Sequence, residues 1–259
     1  MNVSIITATF NSSAHIVDCL ASVYEQTYPN IEHIIIDGAS KDNTLEIIKS
    51  MPNRVSKIVT EPDGGIYDAI NKGITFATGE VIGLVHSNDL LSNPYVIENI
   101  SKIFERTGCD ILYANTECFL RSNRDKIVRI DRGGHFHRAR FKQGWMPSHP
   151  TVYCKKEVFQ KVGLYRLDLK IAADYEFLLR AMYKNKFKIH FFDSVIYRYE
   201  LGGTSSKNLR NILLSNLECR KAWVLNDMPV PKFLIFNKLV NKIPQFVKAI
   251  GYGKNSKNN

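Results

Sequence analysis

The chain has 259 residues, of which 44% are hydrophobic, so it can bury a large core in one α/β domain with a tail. Its charge of +10 is concentrated near the end, where ten basic residues from Lys207 to Lys257 accompany only Glu218 and Asp227. Five scattered cysteines without a C-x-x-C pair argue against a disulfide framework and a zinc site, and no nucleic-acid-binding signature is present. Because there is neither a secretory leader nor an apolar run of ~18 residues, we expect a cytoplasmic protein.

Strand and helix signals alternate along the first half of the chain. Short apolar runs predict strands at Val3–Thr7, Ile31–Ile36, Lys57–Thr60, Val81–Val85 and Asp110–Ala114. Apolar residues at helical spacing lie between these runs, and the last such helix is predicted at Pro94–Arg106. This order predicts a mostly parallel sheet with helices on both faces.

Beyond residue 115 the alternation weakens. We predict strands at Ile127–Ile130, Thr151–Tyr153 and Lys188–Ile196, and helices at Glu157–Val162, Ala173–Lys184 and Asn208–Leu225. In the last of these helices, Ile212, Leu213, Leu217 and Trp223 are predicted to pack on the sheet.

Polar residues follow each of the early strands. They are Thr7, Thr9 and Asn11, then Asp37, then Glu61 and Asp63, and finally Asn88 and Asp89. The carboxyl ends of parallel strands open into one crevice, where a carboxylate such as Asp89 can hold a cation. Neither a G-x-G-x-x-G nor a P-loop motif is present, which argues against a dehydrogenase and a P-loop NTPase.

Four segments, at residues 3–11, 34–44, 61–73 and 86–89, resemble in order the motifs of family 2 inverting glycosyltransferases. The third is similar to bacterial enzymes that build O-antigen and other surface polysaccharides. The resemblance implies a Rossmann-like GT-A fold over residues 1–206, with a nucleotide-sugar half at 1–115 and an acceptor half at 116–206. A helical, basic tail would follow at 207–259. The implied reaction moves a sugar from a nucleotide-diphosphate sugar, such as a UDP-sugar, to a hydroxyl of a lipid-linked saccharide.

The same resemblance implies the donor contacts. They are Thr7, Thr9, Phe10, Asp37, Asp63, Asn71, Asn88 and His149. Asp37 would accept a hydrogen bond from the nucleobase, and Asp89 would hold Mg²⁺ or Mn²⁺ on the donor diphosphate. Asn88 departs from the family, which usually has an acid at this position, so one negative charge near the diphosphate is missing.

The segment 170–180 resembles the family segment that carries the catalytic base, and it implies this role for Asp174. Glu176 is the rival, but two positions further on it faces about 200° round the helix, so both acids are not expected to reach one hydroxyl. Two other functions stay open. The first is a homologue that binds nucleotide sugar without turnover, which would fit the missing acid at Asn88. The second is a sugar nucleotidyltransferase, which normally has a glycine-rich basic loop after the first strand, where this chain has Thr-Phe-Asn-Ser-Ser at residues 9–13.

Apolar residues recur every three or four positions from Pro231 to Ile250, with lysines between them and a break at Pro244. This pattern predicts a basic amphipathic helix that either lies on an anionic membrane or packs on the catalytic domain. A lipid-linked acceptor favours the membrane. We therefore expect peripheral attachment to the inner face of the cell membrane.

Overall fold

The computed structural model describes residues 1–120, 123–200 and 209–236. Within these residues one sheet contains β1 (Val3–Thr9), β2 (Ile31–Asp37), β3 (Val55–Thr60), β4 (Val81–Leu84), β5 (Asp89–Leu91), β6 (Ile111–Leu120), β7 (Asn123–Asp131), β8 (Tyr153–Lys155) and β9 (Ile189–Glu200). The helices are α1 (Ile16–Tyr24), α2 (Thr44–Ser50), α3 (Ile66–Phe76), α4 (Val96–Thr107), α5 (Lys156–Val162), α6 (Ala173–Leu178) and α7 (Leu209–Leu225). A π-helical turn over Leu179–Lys184 continues α6.

The strand order is β3-β2-β1-β4-β8-β6-β9-β5, and β7 pairs with β6 as a hairpin. The first four strands of this order are parallel to one another, and β9 is parallel to β6. The short strand β8 lies antiparallel between β4 and β6, and β5 is antiparallel to β9. The mostly parallel sheet that the sequence predicts is therefore present, with its strand ends β1, β2 and β4 side by side.

Helices cover both faces of the sheet. Alternation along β1 sends Val3 and Ile5 to the core shared with α1, α2 and α4, and Ile6 and Ala8 to the core shared with α3, α5, α6 and α7. Because β1, β2 and β4 are buried on both faces, they are mostly apolar runs rather than alternating ones. The polar residues that end these runs are left at the edge of the sheet, where the crevice lies.

Most predicted elements lie within a few residues of the observed ones, with three differences. The strand predicted at Thr151 begins only at Tyr153, because His149–Thr151 form a 3₁₀ turn around Pro150. The strand β5, which begins at Asp89, was not predicted. In α7, Trp223 is buried as predicted, but the prediction for Leu213 and Leu217 is wrong, because both side chains are exposed.

Among the described residues, no helix is long and apolar enough to cross a bilayer. The predicted domain boundary at residue 206 and most of the predicted helix over 231–250 lie outside the described residues.

Candidate active site

The loops that follow β1 and β2 are fastened to each other by hydrogen bonds. Asn11 and Ala39 both have left-handed backbones, with φ of 48° and 62°, which turn the two loops toward one another. The Asn11 side chain accepts from the Lys41 amide at 2.8 Å, and the Asn11 amide donates to Ser40 Oγ at 2.8 Å. The Ser12 amide donates to Thr44 Oγ1 at 2.7 Å. Residues 10–13 and 38–44 therefore form one rigid rim.

Asp37 and Phe10 lie on this rim. The Asp37 carboxylate is fully buried at the end of β2 and accepts hydrogen bonds from the amide and hydroxyl of Ser40. The Phe10 ring is 61% exposed. A Cβ on Gly38 would lie 2.7 Å from Asp63 Oδ2 and 3.3 Å from Phe10 Cδ2, so Asp63 and Phe10 both border Gly38. The predicted donor residues Phe10, Asp37 and Asp63 thus come together around Gly38.

Thr7 and Thr9 point to the same face of β1 and are both buried. Thr7 Oγ1 donates to the Val85 carbonyl at 2.7 Å and lies 3.0 Å from His33 Nε2, so the protein itself satisfies this hydroxyl inside the core. The structure therefore places Thr7 behind the crevice rather than in it. In the described part of the chain, no group hydrogen-bonds the buried Thr9 hydroxyl, which is therefore an unpaired polar atom at the end of β1.

The loop after β4 joins the rim at Ser87. Ser12 Oγ and Ser87 Oγ are 3.0 Å apart, so the strand ends of β1, β2 and β4 form one continuous edge. Asn88 is exposed on this edge. Asn71 lies elsewhere, because its amide clamps both backbone groups of Tyr165, donating to the carbonyl at 2.8 Å and accepting from the amide at 2.9 Å. Asn71 therefore braces α3 against the 165 segment.

Asp89 begins β5, next to the end of β9. Its side chain is 7% exposed and accepts a hydrogen bond from Tyr197 Oη at 3.0 Å. Burial raises the pKa of the Asp89 carboxyl to about 7, and the negative charge of Glu200 adds to this rise. The hydrogen bonds from Tyr197 and from the Glu200 backbone lower the pKa, but by less than burial raises it. A buried carboxylate with this pKa lacks the positive charge that would stabilise its ionised form.

This environment suits a divalent cation. Asp89 and Glu200 offer oxygen ligands, which Mg²⁺ and Mn²⁺ prefer, and a cation would offset the cost of burying Asp89 as an anion. No cluster of three His, Cys, Asp or Glu side chains that could hold a metal occurs within residues 1–120, 123–200 and 209–236. Mg²⁺ is commonly held by one or two carboxylates together with substrate phosphates, so a single protein acid is compatible with such a site.

Two histidines connect this edge to the second half of the chain. The rings of His86 and His149 lie 6.3 Å apart, and His149 Nε2 is 2.8 Å from Tyr165 Oη. Burial lowers the pKa of His149 to about 4. Burial and then His149 lower the pKa of His86 to about 4, while the charge of Asp174 acts in the opposite direction. Both histidines are therefore neutral near pH 7, and Asp174 lies within electrostatic reach of His86.

Asp174 and Glu176 have different surroundings, although both lie on α6. Asp174 is partly exposed in the first turn, where its Oδ1 accepts from the Tyr175 amide at 2.7 Å, and its charge adds to burial in raising the pKa of the Tyr67 phenol. Glu176 is buried and paired with Arg180 through two hydrogen bonds of 2.9 Å. It also accepts from Asn226 at 2.9 Å. Asp174 can thus meet a substrate, and Glu176 fastens α6 to its neighbours.

The family model described as Glycosyl transferase family 2 matches residues 4–163, more than half of the chain. The chain belongs to glycosyl transferase family 2.

Two mycobacterial relatives of this family 2 chain carry related names. An uncharacterized glycosyltransferase of Mycobacterium tuberculosis is 33% identical over 184 residues, covering 69% of this chain and 68% of the relative. A glycosyltransferase of Mycobacterium bovis, named for PGL/p-HBAD biosynthesis, is 28% identical over 208 residues. The match covers 78% of this chain and 78% of the relative.

Solved structures confirm the GT-A fold. Residues 1–349 of Staphylococcus aureus TarS with UDP-GlcNAc match with a TM-score of 0.69 at 18% identity, covering 97% of this chain and 80% of TarS 1–349. The mannosyltransferase PcManGT of Pyrobaculum calidifontis, with GDP-Man and Mn²⁺, matches with a TM-score of 0.66 at 17% identity, covering 98% and 75%.

One contact next to the candidate site was not predicted from the sequence. Glu218 on α7 is buried, and its carboxylate accepts from the amides of Lys170, Ile171 and Ala172 at 2.8–2.9 Å. These amides directly precede α6, so Glu218 fixes the backbone that carries Asp174. The only sequence signal was an isolated acid in a basic helix, which gives no indication of its partner 46–48 residues earlier.

Proposed function

We propose that this chain is an inverting glycosyltransferase that moves a sugar from a nucleotide-diphosphate sugar, of the UDP-sugar class, to a hydroxyl of a lipid-linked saccharide. The product belongs to a surface polysaccharide of the O-antigen or capsule type. The enzyme works in the cytoplasm at the inner face of the membrane. The third motif, residues 61–73, and the relative named for PGL/p-HBAD biosynthesis support this choice of acceptor.

The donor nucleotide binds along the rim formed by the loops after β1 and β2. The exposed Phe10 ring offers a face for the nucleobase, and Asp37 offers a carboxylate oxygen as hydrogen-bond acceptor. Asp63, next to Gly38, faces the same nucleotide. The exposed Asn88 amide supplies a further polar contact along the edge.

The diphosphate lies at Asp89. Asp89, with Glu200 nearby, would hold a Mg²⁺ or Mn²⁺ ion there, and the bound ion would supply positive charge to the departing nucleoside diphosphate. His149, neutral and buried beside His86, offers hydrogen bonding without charge on the side that faces Asp174.

Asp174 is the general base. Its carboxylate takes the proton from the acceptor hydroxyl as the hydroxyl oxygen bonds to the anomeric carbon and the bond from that carbon to the diphosphate oxygen breaks. A single displacement of this kind inverts the anomeric configuration. A base in this position contributes ~10²–10⁴ in rate, whereas the alternative role of Asp174, stabilising the helix dipole, is worth about 0.3–1 kcal/mol.

The single observation that carries this proposal is the contact between the two halves of the chain at His86. His86 lies at the end of β4, one residue before Ser87, which is bonded to the donor rim through Ser12. The same His86 lies within electrostatic reach of Asp174. A donor that spans from Phe10 to Asp89 therefore places its sugar near the proposed base.

The test is a transfer assay with purified protein, Mn²⁺, a panel of UDP- and GDP-sugars and a diphospholipid-linked acceptor. Mass spectrometry identifies the products. We expect one donor to give product of inverted configuration by NMR, and Asp89→Ala to abolish metal-dependent transfer. Full activity of Asp89→Ala, or a retained configuration, would contradict the mechanism.

Asn88 favours a second candidate, a homologue that binds nucleotide sugar without turning it over. Calorimetry separates the two functions. Donor binding without any product across the panel would support the binding protein, and turnover would exclude it.

A further inference from the structure

The two sides of α7 have opposite surroundings. Glu218, Ala222 and Trp223 are buried against the catalytic domain. On the other side, Leu213, Leu217 and Val224 are 64%, 61% and 63% exposed. Their spacing of four and seven residues puts them on one line along the helix. Three large aliphatic side chains in a row on a solvent face cost free energy unless something covers them.

Basic residues accompany this apolar row. Arg210 and Arg220 are exposed on the same side of α7, and Lys221 lies at its border, paired with Asp168 at 3.2 Å. The one acid in the helix sequence, Glu218, is buried on the opposite side. We call Arg210, Leu213, Leu217, Arg220 and Val224 the outward face of α7. It combines hydrocarbon with positive charge and contributes no carboxylate.

The positive charge of this face favours one of three possible partners, which are the chain's own tail, a second copy of the chain and a lipid bilayer. The chain from Met228 to Asn259 contains lysines and no acid, so its own tail would bring positive charge to positive charge. A second copy would present the same arginines across a two-fold contact. An anionic bilayer provides negative headgroups for the arginines and an apolar interior for the leucines and valine.

We propose that the outward face of α7 seats on the surface of an anionic lipid bilayer. The proposal rests on the proposed function, in which the acceptor is lipid-linked and lies in that surface. The buried side of the same helix holds residues 170–172 through Glu218. A helix with its side chains is about 10 Å across, so α7 brings the loop before Asp174 to roughly one helix diameter from the headgroups.

The test is flotation of the full chain with vesicles of phosphatidylglycerol and phosphatidylcholine, compared with vesicles of phosphatidylcholine alone. We expect binding to the anionic vesicles only. The variant Leu213→Gln, Leu217→Gln, Val224→Gln should bind at least tenfold more weakly. The variant Arg210→Gln, Arg220→Gln should lose about fivefold for each charge, as expected for roughly 1 kcal/mol per basic residue. The matched control Val17→Gln, Ile58→Gln replaces exposed apolar residues elsewhere and should bind like the unmodified chain.

Three results would overturn the proposal. They are failure of the unmodified chain to float, equal binding to neutral vesicles, and full binding by the triple glutamine variant. Light scattering adds a fourth, because a dimer that becomes a monomer in this variant would make the occupant a second copy. Circular dichroism establishes that each variant is folded.

An assay of sugar transfer to a water-soluble acceptor measures activity without a membrane, so it distinguishes failure of the membrane proposal from failure of the proposed function. The triple glutamine variant should retain that transfer. If the unmodified chain transferred no sugar at all, the proposed function would fail while the vesicle result stood.

Discussion

The donor rim and the loop before Asp174 are held in place by different elements of the fold. In the rim, residues 10–13 bond to residues 38–44 and to Ser87, which follow neighbouring strands of the sheet. The loop 170–172 is held instead by Glu218, which lies 46–48 residues further along the chain on α7. The rim follows directly from strand order, whereas the position of Asp174 depends on a helix that must pack behind it.

We expect substitution of Asp174 to lower activity and substitution of Glu176 to lower stability, although both acids lie on α6. Asp174→Asn should lower kcat by ~10²–10⁴ and leave the donor KM and the melting temperature nearly unchanged, because it removes a base and no structural contact of the rim. Steady-state kinetics and thermal denaturation measure both effects.

Glu176→Gln is the matched contrast. It breaks a buried ion pair with Arg180 and should cost about 3 kcal/mol in free energy of unfolding, while the folded fraction keeps its kcat. A large loss of kcat in folded Glu176→Gln protein, with full activity in Asp174→Asn, would exchange their roles.

Glu218 tests whether the distant contact positions the base. Glu218→Ala removes the acceptor for three amides and should lower kcat about tenfold or more with little change in donor KM, because the rim is untouched. Glu218→Gln keeps one carbonyl oxygen and should recover part of the rate.

Asn226→Ala is the control for Glu218, because it loosens the same α6–α7 contact through Glu176 without touching residues 170–172. It should lower the melting temperature and preserve kcat. If Asn226→Ala and Glu218→Ala lost stability and kcat in the same proportion, Glu218 would be structural only.

The pH dependence of stability tests the three histidines whose pKa values are lowered in the folded chain, namely His33, His86 and His149. Burial lowers the pKa of His33 to about 3 and those of His86 and His149 to about 4, below the ordinary value of 6.5. Between pH 6.5 and 4 the unfolded chain therefore binds more protons than the folded one. Each histidine should make the free energy of unfolding fall with falling pH, by up to roughly 1.4 kcal/mol per pH unit. Asp89, whose pKa burial raises to about 7, acts in the opposite direction in this window and offsets about one histidine, so the net change is a fall.

Urea titrations at several pH values in this window measure the net slope, and His149→Gln should reduce it by about half, because three histidines are opposed by Asp89. A free energy of unfolding that stayed constant from neutral pH to about pH 5 would show that these histidines are not buried as neutral groups.

The smallest effect is expected at Gly38, inside the donor rim. A Cβ there would meet Asp63 Oδ2 at 2.7 Å, so Gly38→Ala should displace Asp63 and raise the donor KM a few-fold without changing kcat. Gly64→Ala is the control, because its nearest contacts are at 3.7 Å. Equal KM values for both variants would place Asp63 outside the nucleotide site.

Much of the donor rim could be predicted from the sequence, because parallel strands end in polar residues and neighbouring ends must meet. Asp37, Asp63 and Phe10 meet for this reason. Thr7 and Asn71 show the limit: a motif residue can serve packing, and only the structure reveals that Thr7 bonds inside the core and Asn71 clamps Tyr165.

The role of Glu218 and the outward face of α7 could not be predicted. Helical periodicity identifies an apolar side but does not say which side packs inward when apolar residues lie on both. The buried side is selected by Trp223, whose indole donates to Tyr175 Oη at 2.9 Å, and by Glu218. Both contacts join segments far apart in sequence.

The most direct test is the crystal structure of Asp174→Asn protein with Mn²⁺ and the nucleotide sugar that the transfer assay identifies as donor. We expect the nucleobase against Phe10 and Asp37, the diphosphate and metal at Asp89, and the anomeric carbon facing residue 174. A nucleotide bound away from the rim, or a sugar turned away from residue 174, would contradict this expectation.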